Sequence, residues 1–330
     1  MKKILFIVAA IALLAGVSSC KKEKEGKYAP KEKIQSVYQE YAVYYGGEVV
    51  EQEAKYLSEE WTWEKDLLNR ITYYSQDTYP TGEGDETVTE REVIYTQLFT
   101  YDDDDRLVKS EILGYANMKA VCEYEGNYLK TMTIWDGDEV LAIYQFNHDG
   151  KKITSFDLTL GDMFEDVDKK AMQQMERVNP LRFLLNTEVA AKTMAATKEC
   201  AKRAAKAGRK DDVPALHFAL MWDGDNVKSL GTTYMGETLQ YDFKYDNKNN
   251  PFYNLFEIVS TVENSFMPFM PLSKNNVTSI VQTESAEGES YTETFEYTYT
   301  YNSKDFPTSK SVDETEDDYR VVQTYYYEYK

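Results

Sequence analysis

Residues 135–150 read WDGDEVLAIYQFNHDG, and the four residues at their head recur as Trp222-Asp223-Gly224-Asp225. Two carboxylates flanking a glycine suit half a calcium loop, a catalytic acid pair or a sharp turn. The residues after the first copy decide between them. Val140, Ala142, Tyr144 and Phe146 fall on one face of the chain, and Leu141, Ile143 and Gln145 on the other. Period-two alternation bounded by turn residues is the signature of a strand. An Asp-Gly pair between two such runs predicts a hairpin, whose type I′ turn takes φ > 0 at both central positions.

The neighbouring turns keep the same interval. Gly126-Asn127 precedes the first copy and His148-Asp149-Gly150 comes after it, while Gly224, Gly236 and the run Asp246–Asn250 surround the second. Turns so regularly spaced predict a meander of antiparallel strands. One unit recurs with drift: an aromatic residue, a few turn residues, then an apolar residue opening the return strand. It is found at Trp63–Leu67, Tyr101–Leu107, Tyr124–Tyr128, Phe146–Ile153, Tyr245–Phe252 and Tyr301–Phe306. Repetition of a hairpin unit predicts a sheet, barrel or shell. Asp136/Asp138, Asp223/Asp225 and the run Asp102–Asp105 are therefore read as turn residues rather than metal ligands. Calcium takes about six to eight oxygens, and no spaced glutamate completes such a loop here.

The N-terminus sets the compartment. Lys2 and Lys3 precede the apolar run Ile4–Ala15, which is too short to span a bilayer, and small residues then lead to Cys20. This is the pattern of a bacterial lipoprotein signal, in which Cys20 carries acyl chains such as palmitate and becomes the first residue. Lys21 after Cys20, in place of an aspartate, predicts the outer membrane, with its surface and periplasmic faces both open. Residues 1–20 are thus signal, 21–30 a mixed-charge flexible tether, and 31–330 one domain. Losing Lys2 and Lys3 takes the basic count from 37 to 35 against 57 acidic residues, a net charge of −22. So acidic a surface repels nucleic acid. Cys122 and Cys200 alone remain beyond Cys20, which excludes a disulfide framework or a zinc site.

Outside the tether and a helical stretch, about 245 residues at roughly fourteen or fifteen per strand and turn give about 16 strands. Open sheets of that size curl or split, so the expected fold is mainly β: an antiparallel meander forming a closed or nearly closed water-soluble barrel. Phe295, Tyr297, Tyr299 and Tyr301 make one aromatic face opposite Glu296, Thr298 and Thr300. A membrane-spanning barrel confines its aromatics to two girdles, so this pattern suits water. The exception is a helical insertion over 163–210, where Met172, Met175, Val178 and Leu181 give way to an alanine-rich run carrying Lys198, Lys202 and Lys206. Residues 163–207 are expected to plug or cap the barrel, because an interior that wide holds a channel or a plug.

Several stretches carry a resemblance. Tyr101-Asp102 with Arg106-Leu107 is similar to the YD repeat of large secreted shell proteins, without the usual glycine before the arginine. The WTW at 61–63, Asn250-Pro251-Phe252-Tyr253, Ser273–Ile280 and Tyr299–Asn302 with Phe306-Pro307-Thr308 resemble an uncharacterised Bacteroidetes lipoprotein family with a porin-like fold. The resemblance implies a fold and no active site.

The residues mark no chemistry. His148 lies in an expected turn and His217 on an expected strand, neither near a nucleophile signature or a metal-binding helix, and no phosphate loop occurs. No catalytic residue, metal ligand or cofactor is assigned; Cys20, for its lipid, is the only site residue. The apolar loop Phe266–Leu272 is read as tucked onto the core. The expected function is a noncatalytic envelope protein whose tyrosine-rich face binds a glycan, a peptide or a protein partner. A hydrolase with an unmarked carboxylate pair and a purely structural role are the alternatives.

Overall fold

The computed structural model describes residues 25–80, 87–114, 118–160, 216–234, 237–255, 272–286, 289–316 and 318–330. They form sixteen strands: β1 (Ile34–Tyr45), β2 (Glu48–Glu64), β3 (Leu67–Pro80), β4 (Thr87–Tyr101), β5 (Leu107–Leu113), β6 (Met118–Glu125), β7 (Tyr128–Asp136) and β8 (Glu139–Asp149), then β9 (Lys152–Leu160), β10 (Leu216–Asp223), β11 (Asn226–Tyr234), β12 (Glu237–Tyr245), β13 (Val277–Ala286), β14 (Glu289–Tyr301), β15 (Pro307–Glu316) and β16 (Tyr319–Tyr329). Each pairs antiparallel with its neighbour in sequence, and β16 returns to β1 from Ile34↔Tyr329 to Tyr45↔Tyr319, closing the barrel. No α-helix occurs among the described residues. The helical insertion expected over 163–210 lies outside them, as do Cys20, Cys200 and Phe266–Pro271.

Odd strands run from one end, the floor, to the other, the rim. The first WDGD joins β7 to β8 at the rim, and the second joins β10 to β11 at the floor. The two copies are thus turns at opposite ends and build no common site. Their type departs from expectation: Gly137 and Gly224 have φ of 57°, but Asp138 and Asp225 are not in the positive-φ region. A turn with only its first central position positive matches type II′, where glycine takes that position and an ordinary residue the next. Both positions are positive at Gly46-Gly47 and Lys65-Asp66.

The recurring aromatic unit has a physical reason. Near the floor the strand register slips at Thr62/Trp63, Thr100/Tyr101, Glu123/Tyr124, Met221/Trp222 and Lys244/Tyr245. Bulges of this kind re-aim the next side chain. Each of these aromatics donates to the carbonyl of the first or second residue of the preceding strand. Trp63 reaches Ile34 O at 2.7 Å, Tyr101 Leu68 O at 2.8 Å and Tyr124 Leu107 O at 2.7 Å. Trp222 reaches Ile153 O at 2.7 Å and Tyr245 Val227 O at 2.6 Å. Tyr299 to Val277 O and Tyr329 to Pro307 O, both 2.7 Å, extend the series. Between β8 and β9 the same slip, at Asn147/His148, presents a histidine instead.

The aspartate run at 102–105 proves to be a turn built on one side chain. Asp102 Oδ1 accepts from the backbone N–H of Asp104 and of Arg106, both at 2.9 Å, while Asp105 takes φ of 62°. Asn302 repeats the arrangement, accepting from Lys304 N and Phe306 N, with Asp305 at φ of 63°. The expected return at Phe252 is corrected: the next described strand after Tyr245 begins at Val277. Asn250 is buried, with its Nδ2 donating to Ser273 O and its Oδ1 accepting from Phe252 N, and this fixes a loop rather than a hairpin.

That loop closes the floor. Phe252 and Leu255 are buried with Trp61, Tyr325, Tyr327 and Tyr28, so the plug in the described residues is this loop together with the N-terminal segment. Residues 25–30, read from composition as tether, are laid against the floor: Tyr28 is buried and donates to Pro251 O at 2.8 Å. Above it the inward alternation fills the barrel with Ile134, Ala142, Tyr144, Phe146, Phe156, Phe218 and Leu230. A gap beside Phe252, Lys310 and Tyr327 has room for about one water. Outward positions such as Glu296, Thr298 and Thr300 are exposed. The outward face of β14 is therefore polar, unlike the apolar band that faces lipid in a spanning barrel.

Candidate functional site

Strand length divides the inner wall. β5 to β12 have seven to eleven residues, whereas β2, β3, β4 and β14 have 17, 14, 15 and 13 and project above the packed layer. The upper part of β2, from Glu48 to Gln52, is exposed on both faces, as is Glu289–Thr292 of β14. A wall exposed on both sides is the surface of the barrel that a ligand can reach from the rim.

Cross-strand register tells which side chains line it, since directly opposed residues share a face. Glu53 is opposite Tyr41, and Glu51 opposite the buried Val43. Across the seam, Glu293 is opposite Gln282 and Tyr291 opposite Glu284, while Gln282 and Glu284 are in turn opposite Tyr241 and Leu239. One arc, β12 to β16 and on to β2, thus carries tyrosines and carboxylates inward. The other arc is apolar, with Ile112, Met118, Leu158 and Leu220 buried.

The charges leave their mark on the phenols. Burial, and then the carboxylates of Glu284 and Glu293, hold the Tyr241 hydroxyl well above the ordinary phenol range. Burial and the charge of Glu53 push Tyr56 up to about 12. Both stay protonated donors in water at any physiological pH. Lower in the same wall, the buried Glu59 accepts from Trp61 Nε1 at 2.7 Å. Lys310 is buried, its ammonium 4.8 Å from the Tyr297 ring centroid and 5.9 Å from that of Tyr325. Tyr73 donates to Gln97 Oε1 at 3.0 Å, and Gln97 Nε2 donates to Ser110 Oγ at 2.8 Å, a buried polar relay that joins β3, β4 and β5.

Nothing in the sequence marks this belt. Lys310 sits in the run PTSKSVDETE, where nothing distinguishes it until register places it opposite Tyr299 and Tyr325. Of the histidines, His217 is exposed and meets Asp157 Oδ1 at 2.8 Å. His148 is mostly buried, with Nε2 at 2.9 Å from Glu25 Oε2. Among the described residues the structure brings neither to a nucleophile. Among the described residues no group of three His, Cys, Asp or Glu side chains is placed to hold a metal ion. Cys122 is buried, and desolvation pushes its thiol up to about 12.

No family model and no curated protein matches the chain. Solved structures with similar backbones include a porin-like protein from Bacteroides uniformis, 13% identical, with 90% of this chain and 98% of that chain covered and a TM-score of 0.46. A porin-like protein from Bacteroides vulgatus is 8% identical, with 91% and 99% covered and a TM-score of 0.33. TcdB2-TccC3 is 10% identical over 81% of this chain and 16% of its own, with a TM-score of 0.24.

Proposed function

We propose that this protein is an outer-membrane lipoprotein, held by acyl chains on Cys20, that binds a ligand noncatalytically at the inner wall of its rim. The observation that carries the reading is the arc of Tyr41, Glu51, Glu53, Glu284, Tyr291 and Glu293, raised above a core that is already filled. Tyrosine gives flat, rigid contact with a polar tip, and clustered carboxylates favour positive charge. A basic peptide segment is accordingly favoured over a neutral glycan. The whole-chain charge of −20 would also speed the approach of such a ligand.

The test is calorimetry or anisotropy with a lysine-rich peptide, a neutral oligosaccharide and an acidic peptide. Binding confined to the basic peptide, weakened about tenfold or more by Glu53→Gln with Glu284→Gln and Glu293→Gln, supports the reading. Equal binding of all three, or none, sinks it. Release of reducing ends from a polysaccharide, lost in the same variants, establishes the hydrolase reading in its place.

A further inference from the structure

The chain enters the barrel at the floor, and it enters under restraint. Glu25 N donates to Asn127 O at 3.1 Å, and the Glu25 carboxylate accepts from Leu129 N at 2.7 Å and faces His148 Nε2. One residue on, Gly26 O accepts from Leu107 N at 2.9 Å. Gly26 has φ of 75°, and a Cβ there would lie 1.8 Å from the Tyr124 hydroxyl. Lys27 then meets Asp105 at 2.5 Å, and Tyr28 is buried. Consecutive residues are thus fastened to three different floor turns.

From this we infer that the floor is the membrane-facing surface of the anchored protein, and that the rim points away from the bilayer. The inference rests on the lipid at Cys20. Five residue steps separate Cys20 from Glu25, so the clamped segment lies no more than about 18 Å from the acylated residue. The rim is farther than that. The 17 residues of β2 run about 55 Å along the strand, or about 40 Å of height at a barrel tilt of roughly 40°.

Charge agrees with the geometry. At the floor, carboxylates are matched by lysines, as in Lys33–Asp66, Lys248–Asp305 and Lys304–Glu32. Lys21, Lys22 and Lys24 adjoin Cys20 itself. The rim turns present Asp136, Asp138, Glu139, Glu289 and Asp318. An anionic leaflet repels that end and tolerates the other, and basic residues beside an acyl chain strengthen its hold. The ligand wall would then open away from the anchor.

The experiment uses the acylated full chain in a Cys200→Ser background, reconstituted in phosphatidylcholine vesicles containing a fifth phosphatidylglycerol and a lipid-borne energy acceptor. A donor dye is placed at the floor by Asp103→Cys or at the rim by Asp138→Cys. The floor dye is expected to be quenched several-fold more than the rim dye. In Gly26→Ala, which forces the strap off Tyr124, the difference should shrink while the circular dichroism stays that of the parent. Equal quenching at both positions in a protein whose Cys20 is acylated by mass spectrometry overturns the orientation alone. Unmodified Cys20 overturns the lipoprotein reading and this one with it.

Discussion

Tyr101→Phe tests the floor ties with a single atom. The lost hydroxyl donates to Leu68 O at 2.8 Å, and Leu68 is fully buried, so no solvent stands ready to replace the donor. Burial holds the Tyr101 phenol far above its ordinary range, so it is a donor at every accessible pH. A hydrogen bond contributes about 1 kcal/mol net, and a buried carbonyl left unsatisfied costs about 1–3 kcal/mol, so the variant should lose about 1–2 kcal/mol. Tyr245→Phe breaks two contacts, to Val227 O at 2.6 Å and to Ser273 Oγ at 2.9 Å, and should lose about 2 kcal/mol. β4 and β12 lie half a circuit apart in the ring, and the two ties share no partner. The double variant should therefore show the sum to within about 0.5 kcal/mol. Equilibrium urea unfolding followed by tryptophan fluorescence reads this directly, since Trp61 and Trp63 belong to the floor. Tyr291→Phe, at a residue 61% exposed, is the control and should stay within about 0.5 kcal/mol. If Tyr101→Phe behaves like that control, the ties are incidental and the repeated aromatic needs another explanation.

Asp102→Asn copies the turn already built at Asn302 and removes the ion pair with Arg106. Burial alone would raise the Asp102 pKa, but the backbone N–H groups of Arg106 and Asp104 and the Arg106 guanidinium together hold it below the carboxylate range. Its stabilisation is thus fully present above the unfolded value near pH ~3.9 and is lost as pH falls through the lower folded value. The variant should cost about 1 kcal/mol at neutral pH, and a denaturation series should show the gap closing below about pH 4; a gap that persists at pH ~2 contradicts the assignment. Cys122, with its thiol pushed up to about 12 by burial, should resist maleimide at pH ~8 and react only as the barrel unfolds; fast labelling in the native state would show that wall to be open. A Cβ at Gly137 or Gly224 meets no atom within 4 Å, so Gly137→Val and Gly224→Val should each cost only backbone strain, about 1–3 kcal/mol, with no effect of a chelator on the melting temperature. A chelator-sensitive melt abolished by Asp136→Asn would restore calcium.

The barrel was legible because the sequence repeats what the fold repeats. Period-two runs such as Val140–Phe146 and regular Gly turns predict strands, their number and closure, and pairing from β1 to β16 bears this out. The turn type was not legible, because Asp-Gly is equally a strand's last residue and then the first residue of a Gly-X turn; only the φ of Asp138 separates the two. The loop after Tyr245 was hidden because Asp246–Asn250 has turn composition, while its course is set by distant partners, among them Ser273 O and Asp305 O. The inner wall was least legible. Which face of PTSKSVDETE turns inward depends on register with strands on either side, and the bulge at Thr300/Tyr301 shifts its register with β14.

The exception to the repeat falls where the N-terminal segment is fastened. Six floor junctions carry Trp or Tyr just after the bulge; five of these residues reach back to a carbonyl of the preceding strand, and the sixth, Tyr301, donates to the Asp246 carboxylate instead. At the equivalent point of β8 the chain has His148, packed on Tyr128 with ring centroids 5.2 Å apart. An imidazole is too short to make the phenol's reach, but it meets a carboxylate well, and the carboxylate it meets belongs to Glu25. The same carboxylate takes Leu129 N, at the start of the strand that the missing tie would have bound. Glu25 therefore stands in for the absent aromatic, joining β7 to β8 through the N-terminal segment. A hairpin that omits its own tie becomes the place where the rest of the chain is fastened. The strap then depends on the register of the fourth floor hairpin, and that hairpin's closure depends on the strap.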